Sequence, residues 1–392
     1  MAVKTLFLTL RTFSATGGIE KVSRVVGKSL YEMGAIQPAN NLSILSMYDG
    51  SGEVDERYFP LRVFTGFGKK KSRFVLEALR QGIKSNQVIL SHINLLLAGF
   101  LIKIFSPRTR LILFAHGIEV WSPLPRWKQY MLGKCDLVIA VSRFTRGRMI
   151  EVHGLDTKKI SVLNNCLDPF LQPPSDNEKS PELLRRYGLT PSNIVLITLT
   201  RLSSKEQYKG YDNVLYALNK LKKDYPAIKY LIIGKYDASE KQRVGHLIDE
   251  LQLQDDIVLT GFIPEEELAE HYNIADCYIM PSKKEGFGIV FIEAMYYGKP
   301  VIAGNKDGSA DALDNGRFGV LINPDDKEAI TGAIRAVINN KAAYVPDTNE
   351  VKKLFGYEGY REKLWGLLAP WPSNSQRGDE CKKHPNPAAP GE

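Results

Sequence analysis

A chain of 392 residues that is 44% hydrophobic can bury a sizeable core and has room for two domains, so a disordered polymer is excluded. Its four cysteines, Cys135, Cys166, Cys277 and Cys381, lie far apart with no C-x-x-C pair. This suggests neither a disulfide framework nor a structural zinc site, and predicts a reducing, cytoplasmic setting. Net charge is +8, but residues 1–170 carry +12 and the remainder −4. Lys69-Lys70-Lys71, Arg73 and the cluster Arg143, Arg146, Arg148 contribute to this basic half, which suits an anionic membrane surface or a polyphosphate acceptor. Scattered solubilising charge is the plainer alternative. No zinc-finger spacing, RNA-recognition signature or helix-turn-helix pattern accompanies the charge, so nucleic acid is not the expected partner.

In chain order, MAVKTLFLTLRTFSATGG reads as a first strand rather than a signal peptide, because its apolar segment is short and no small-residue cleavage pattern follows. The longest apolar run, Leu95 to Phe105, is about half the roughly 20 residues of a membrane span and is interrupted by Lys103. Predicted strands near Thr5–Thr9, Leu42–Met47, Val88–Ser91, Leu111–Ala115, Leu137–Val141 and Ile160–Val162 alternate with helices. A second series follows near Ile194–Thr200, Tyr230–Ile233, Ile257–Thr260, Cys277–Met280, Pro300–Ala303 and Val320–Ile322. The α/β pattern predicts two doubly wound domains, residues 1–170 and 171–350, separated by a polar, proline-rich linker near Pro169–Pro181. Val351 to Leu368 has helical spacing, and residues 369–392 have little to bury and read as a disordered tail.

The first predicted strand leads into Ser14-Ala15-Thr16-Gly17-Gly18-Ile19-Glu20-Lys21-Val22. A glycine pair opening a helix lets backbone N–H groups approach a phosphate; a simple tight turn is the alternative. Neither G-x-G-x-x-G nor G-x-x-x-x-G-K-[ST] occurs, which disfavours dinucleotide and P-loop chemistry. His116-Gly117-Ile118-Glu119 lies at a carboxyl strand end, where Glu119 reads as an acceptor contact, a base or a solvated loop carboxylate. Beyond another strand end come Arg201 and Lys209, a planar fork and a point charge suited to two phosphates, with Lys205 a competing candidate. Gly261-Phe262-Ile263-Pro264 follows a later strand, and Glu265-Glu266-Glu267 reads as a helix start. In PSKKEGFGIVFIEAMYYGKPVIA, from Pro281 to Ala303, Gly286 and Gly288 free the backbone to approach a ligand, and Ile289–Tyr297 reads as a helix stopped by Gly298 and Pro300. Glu285 and Glu293 thus flank an anion-attracting helix N-terminus, an arrangement suited to gripping sugar hydroxyls beside a phosphate. Asp307-Gly308-Ser309-Ala310-Asp311 closes the set, with Asp307 and Ser309 as candidates to meet sugar or phosphate. No Asp-x-Asp metal motif appears.

The string EGFGIVFIEAMYYGKPVIA closely resembles the signature of the retaining family 4 glycosyltransferases, and the resemblance covers most of residues 1–368. It implies the GT-B fold: two Rossmann-like domains with an interdomain cleft, the first binding acceptor, the second binding nucleotide sugar, and a final helix 351–368 crossing back. It further implies that the Gly17-Gly18 loop closes over the donor diphosphate. Arg201 and Lys209 would hold that diphosphate, and Phe262 and Ile263 would pack against the base. Glu285 would bind donor-sugar hydroxyls, Phe287, Gly288, Ile289 and Val290 would bind phosphate through backbone N–H groups, and Glu293 would bind ribose. His116 matches the family's HG-type motif beside the reacting sugar, which makes Glu285, His116, Arg201 and Lys209 the implied catalytic set. Asn165-Cys166-Leu167-Asp168 stands where the family usually has N-G-V-D, and no redox role is assigned to Cys166. The expected activity is metal- and cofactor-independent transfer of a hexose, UDP-glucose ahead of GDP-mannose as co-substrate, to a glycan or lipid-linked acceptor. The expected location is the cytoplasm or the inner face of its membrane. A non-catalytic nucleotide-sugar sensor, or an epimerase or phosphorylase on the same fold, are the alternatives.

Overall fold

The structure, a computed structural model, describes residues 3–36, 41–50, 52–172 and 179–369. The predicted tail lies outside these residues apart from its first position, as does 173–178 of the predicted linker. Strands β1 (Lys4–Thr9), β2 (Asn41–Ser46), β3 (Phe64–Gly66), β4 (Gln87–Leu90), β5 (Arg110–Ala115), β6 (Leu137–Ala140) and β7 (Ile160–Val162) form one sheet. It is parallel throughout, in the order β3-β2-β1-β4-β5-β6-β7. A second parallel sheet contains β8 (Ile194–Leu199), β9 (Ile228–Ile233), β10 (Ile257–Gly261), β11 (Cys277–Met280), β12 (Val301–Gly304) and β13 (Val320–Ile322), ordered β10-β9-β8-β11-β12-β13. Central strands such as β4 are buried along their whole length, because helices cover both faces of each sheet. This is why they read as unbroken apolar runs.

Hydrophobic patterning misses β3. Its three residues, Phe-Thr-Gly, are too few to show a period, and it pairs only by lying beside β2 with Ile44 opposite Phe64. Gly66 is required there, since a Cβ would sit 2.2 Å from the Gly50 carbonyl oxygen. Among the described residues no helix is long and apolar enough to cross a membrane. The run Leu95–Phe105 is instead the helix Leu96–Phe105, which lays Leu96, Ala98, Gly99 and Ile102 against the first core.

The single helix expected over Val351–Leu368 is two, Thr348–Phe355 and Tyr357–Leu368, parted at Gly356 in an extended conformation. A side chain at Gly356 would meet the Lys352 carbonyl oxygen at 2.4 Å. The break has a purpose in packing. Val351 and Phe355 belong to a core of the second sheet, whereas Tyr357, Tyr360, Leu364 and Leu368 complete a core of the first. The crossing helix is fastened by Trp365 Nε1, which donates to the Ser29 carbonyl at 3.0 Å, and by Arg361 and Tyr357, which both reach Glu32.

In open parallel sheets ligands bind beyond the carboxyl strand ends where the strand order reverses. The reversals fall between β1 and β4 in one sheet and between β8 and β11 in the other. The segments leaving these strands carry Gly17, Gly18, Arg201, Lys209 and Glu285, so topology delivers the sequence motifs to facing crevices.

Candidate active site in the cleft between the sheets

The loop leaving β1 is shaped by Asp49. Its buried carboxylate accepts backbone N–H groups from Thr12 at 2.7 Å, Phe13 at 3.3 Å and Ser14 at 2.8 Å, and the Ser46 hydroxyl at 2.5 Å. The loop then reaches Gly17 and Gly18, where the helix Gly18–Ile36 starts. At Gly18 a Cβ would meet nothing within 4 Å, so protein packing does not demand glycine there. Open backbone at a helix start is what close approach by a ligand requires.

One turn on, Lys21 projects across to the second half. Its ammonium lies 2.5 Å from Glu293 Oε1 and 3.6 Å from Glu265, while Arg24 reaches Glu265 at 3.5 Å. Glu293 is 1% exposed, and its other oxygen accepts from the Tyr272 hydroxyl at 3.2 Å. Burial works against the charge on Lys21, but Glu293 and then Glu265 outweigh it and hold its pKa above the ordinary lysine value. Sequence spacing does not reveal Lys21 as a partner of Glu293, because 272 positions separate them.

Glu285, Gly286, Phe287 and Gly288 lead into the helix Ile289–Tyr296, whose N-cap Gly288 has φ +89 and offers no side chain. The first-turn N–H groups of Ile289 and Val290 therefore have no side-chain cap. Phe287 is buried against Phe355 and anchors the loop from below. Asp307 is 2% exposed and Ser309 is fully buried, so neither projects toward a ligand. Instead Asp307 accepts the backbone N–H groups of Glu285 at 2.6 Å and Ser309 at 2.9 Å, and so shapes the Glu285 loop from beneath. Burial pushes the Asp307 carboxyl up to about 6 despite those bonds.

Lys209 ends a short 3-10 turn and pairs with Glu285. Two backbone contacts bring them together. Lys283 N–H donates to the Tyr208 carbonyl at 2.9 Å, and Gly210, at φ +82, packs so closely that a Cβ would be 2.3 Å from the Pro281 carbonyl oxygen. As with Lys21, burial opposes the Lys209 charge but Glu285 prevails and raises its pKa. Arg201 sits on the same loop, its guanidinium exposed and bonded to Glu206 at 2.5 Å; the Glu206 carboxylate in turn acts on Lys209. The competing Lys205 is exposed. Phe262 is exposed with the Lys235 ammonium 4.4 Å over its ring, while Ile263 packs on the core.

From the first sheet, His116 follows β5 and its Nε2–H donates to the Ser91 carbonyl at 2.7 Å. Glu119 is not a free loop carboxylate: its Oε1 accepts the backbone N–H groups of His116 at 2.6 Å and Gly117 at 3.2 Å, which fixes that turn. His92 joins the same cluster, a residue that carries no motif in the sequence. Burial, opposed by Glu119 and reinforced by His116, pushes its pKa down to about 4, so at neutral pH it is an uncharged imidazole. The two halves meet here without side chains. A Cβ on Gly286 would fall 1.8 Å from the His116 carbonyl oxygen, and one on Gly117 would fall 2.8 Å from Gly286 Cα. Arg143 adds an ion pair to Asp311 at 2.8 Å. The cluster Arg143, Arg146, Arg148 is therefore occupied within the protein, since Arg146 reaches the Ile160 carbonyl and Arg148 reaches Glu151 and the Trp121 carbonyl. Cys166 is buried, and that burial raises its thiol pKa. Among the described residues no cluster of three or more His, Cys, Asp or Glu could hold a metal ion.

The arrangement is a cleft in which the second half presents two carboxylates beside an uncapped helix N-terminus, Glu285 matched with Lys209 of the same half and Glu293 with Lys21 from the facing one. Family models for "Glycosyl transferases group 1" and "Glycosyltransferase Family 4" match residues 180–354 and 17–169 respectively. Among curated proteins, the GDP-mannose-dependent alpha-(1-6)-phosphatidylinositol monomannoside mannosyltransferase of Mycolicibacterium smegmatis is 31% identical over 236 residues, 57% of this chain and 60% of that one. Mannosylfructose-phosphate synthase of Agrobacterium fabrum is 25% identical over 244 residues, 60% of this chain and 53% of that one. The match thus spans little more than half the length of these relatives. Solved structures with the same fold include Anabaena HepE in complex with UDP and glucose, at TM-score 0.75 and 19% identity over 93% of this chain and 99% of that one. Sucrose-phosphate synthase of Thermosynechococcus elongatus has TM-score 0.73 and 18% identity over 93% of this chain and 98% of that one. Two parallel sheets facing across a cleft, and family models that match on both sides of it, lead to one conclusion: the chain belongs to the family 4 glycosyltransferases and has the GT-B fold.

Proposed function

We propose that the protein is a retaining hexosyltransferase that moves a sugar from a nucleoside diphosphate donor to a hydroxyl of a lipid-linked or polysaccharide-precursor acceptor. The observation that carries this reading is the meeting of Lys209, Glu285 and the uncapped Ile289–Tyr296 helix at one mouth, with Glu293 on the same helix. Lys209 and Arg201 would bear the diphosphate charge, the first-turn N–H groups would bind its oxygens, and Glu285 would accept from donor-sugar hydroxyls. Glu293 would take the ribose hydroxyls once Lys21 gives way, since two carboxylate oxygens offer about four acceptor positions. Gly17 and Gly18 would close over the diphosphate, Phe262 and Ile263 would flank the base, and His116 would meet the reacting sugar. The 1–170 half would receive the acceptor and the 171–350 half the donor.

Transfer with retention follows if the acceptor oxygen attacks the anomeric carbon on the face that the diphosphate leaves. The carbon–oxygen bond to the diphosphate breaks as the new one forms, and the departing phosphate oxygen takes the acceptor proton. With two cations and a helix N-terminus to stabilise the leaving charge, a divalent cation is not required.

The donor reading lies between UDP-glucose and GDP-mannose. HepE was solved with UDP and glucose, and the mycobacterial relative is named for GDP-mannose; both bear on the choice. A thermal-shift screen of UDP- and GDP-sugars separates them, because a ligand that binds the folded state raises its melting temperature. Donor turnover tests the enzyme itself. Slow release of free sugar from the selected donor, unaffected by EDTA and lost in Lys209→Ala, is the expected result. Binding without any release over hours would instead establish a nucleotide-sugar sensor. The basic first half is read as meeting an anionic membrane, where a lipid-linked acceptor resides.

A further inference from the structure

Six of the large apolar side chains most exposed to water stand on three helices of the first half: Leu76 at 70%, Leu97, Ile104, Phe105 at 70%, Trp127 at 52% and Tyr130. The helices are Lys71–Gly82, Leu96–Phe105 and Arg126–Leu132, and the middle one packs against both others. Gly82 allows one of these approaches, since a Cβ there would clash with Ile102 at 2.4 Å. The other is an edge-to-face contact of Phe100 with Tyr130 at 5.7 Å. Each helix buries one side in the core and turns bulky apolar groups outward, which a soluble surface has no reason to do three times side by side.

The charge of the same region is as one-sided. Residues 69–134 contain twelve Lys and Arg against two carboxylates, Glu77 and Glu119. Two of these cations are neutralised locally, Arg80 by Glu77 at 2.5 Å and Lys103 by Asp136 at 2.6 Å, while Glu119 is turned onto the backbone of His116 and Gly117. Lysines are interleaved with the aromatic rings, Lys134 lying 4.8 Å over Tyr130 and Lys128 5.6 Å over Trp127. Tryptophan and tyrosine beside basic residues, with aliphatic and phenylalanine side chains beyond them, match the composition of the zone between lipid headgroups and acyl chains.

We propose that these three helices form one docking face for an anionic lipid bilayer, with Leu97, Phe105 and Trp127 entering the headgroup–acyl boundary and the surrounding Lys and Arg binding lipid phosphates. The face adjoins the cleft. Lys128 donates to Asn94 at 2.8 Å, Asn94 N–H donates to His92 Nδ1 at 3.0 Å, and His92 lies beside His116. A bilayer held on this face therefore presents its headgroups at the acceptor side of the site. That consequence rests on the proposed lipid-linked acceptor; the docking itself does not.

The test uses the full-length protein and sedimentation with vesicles of phosphatidylcholine alone or with 30 mol% phosphatidylglycerol, a probe chosen for its negative charge. Binding at least tenfold stronger to the anionic vesicles is expected, with a blue shift of tryptophan emission that is missing from Trp127→Phe. The double variant F105S/W127S should lose at least tenfold in partitioning yet keep its melting temperature, because both side chains are mostly exposed. The charge variant K70E/K71E should weaken binding more at low than at high salt. Protein that stays in the supernatant with both vesicle types, or an F105S/W127S variant that sediments like the parent, overturns the proposal. So does a parent dimer that F105S/W127S converts to monomer, which would assign the face to a second copy. Donor hydrolysis in the absence of vesicles reports on the catalytic reading separately, and should be unchanged in F105S/W127S.

Discussion

Lys21 and Lys209 show how a single cation can be unreadable in sequence yet decisive in the fold. Each is partly buried beside one carboxylate of the Glu285–Glu293 pair, but only Lys209 is announced by its motif. Removing one partner of a buried ion pair leaves the other charge stranded, at a cost of about 3–5 kcal/mol. Lys21→Met should therefore lower unfolding free energy by about that amount in urea titrations, and K21M/E293Q should recover most of it. Additive losses in that cycle would show that the two residues do not act as a pair. Lys209→Ala is expected to act on chemistry as well, reducing kcat by about 10²–10³ as loss of one electrostatic stabiliser does. Spectra and melting temperature should confirm that this variant is folded. His92, Asp49 and Asp307 belong to the same class as Lys21. They position the site through backbone bonds or burial, and no local pattern marks a side chain whose partners arrive from a distant strand.

At the scale of elements, the turns matter more than the helices they join. Gly286 and Gly117 bring the backbones of the two halves into contact, and any Cβ at Gly286 must displace the His116 carbonyl. Gly286→Ala should separate the Glu285 loop from the His116 turn, cutting turnover by at least tenfold while circular dichroism stays unchanged; full activity would show that this contact is not needed. The far end of the same helix offers a pH test. Lys299, just beyond Gly298, is 7% exposed, and burial, reinforced by Lys341 and opposed by Asp276, pushes its pKa down to about 8. The unfolded chain, with an ordinary lysine pKa of about 10.4, binds that proton more tightly. Its contribution to stability is therefore complete above that value and is lost as pH falls through 8. The urea midpoint of the parent should rise from pH 8 to 10 relative to Lys299→Met, and parallel curves would refute the assignment. Sequence periodicity located twelve strands and the helix after Gly288, because buried parallel strands are continuous apolar runs. It joined Thr348–Phe355 to Tyr357–Leu368 because both keep helical spacing, and only their packing on different cores shows the break at Gly356.

For the molecule as a whole, the last helix makes the two halves interdependent. Leu364 is fully buried in a core built mainly from residues 7–170, so Leu364→Ala should destabilise that half by about 2–5 kcal/mol. Amide exchange within Gly18–Ile36 should report the loss before exchange in the second sheet does; equal loosening of both would mean that the halves unfold as one unit. The sequence by itself determined the fold class, the alternation of strand and helix, and the glycine-bracketed acidic and basic motifs, because those depend on periodicity and on neighbours a few positions apart. Only the tertiary structure decided which lysine neutralises which glutamate, that Asp307 and Glu119 shape turns, and that three helices bearing exposed apolar groups pack side by side. Those outcomes depend on contacts across tens to hundreds of positions, where the chain's path in space sets the distance and local composition carries no record of it.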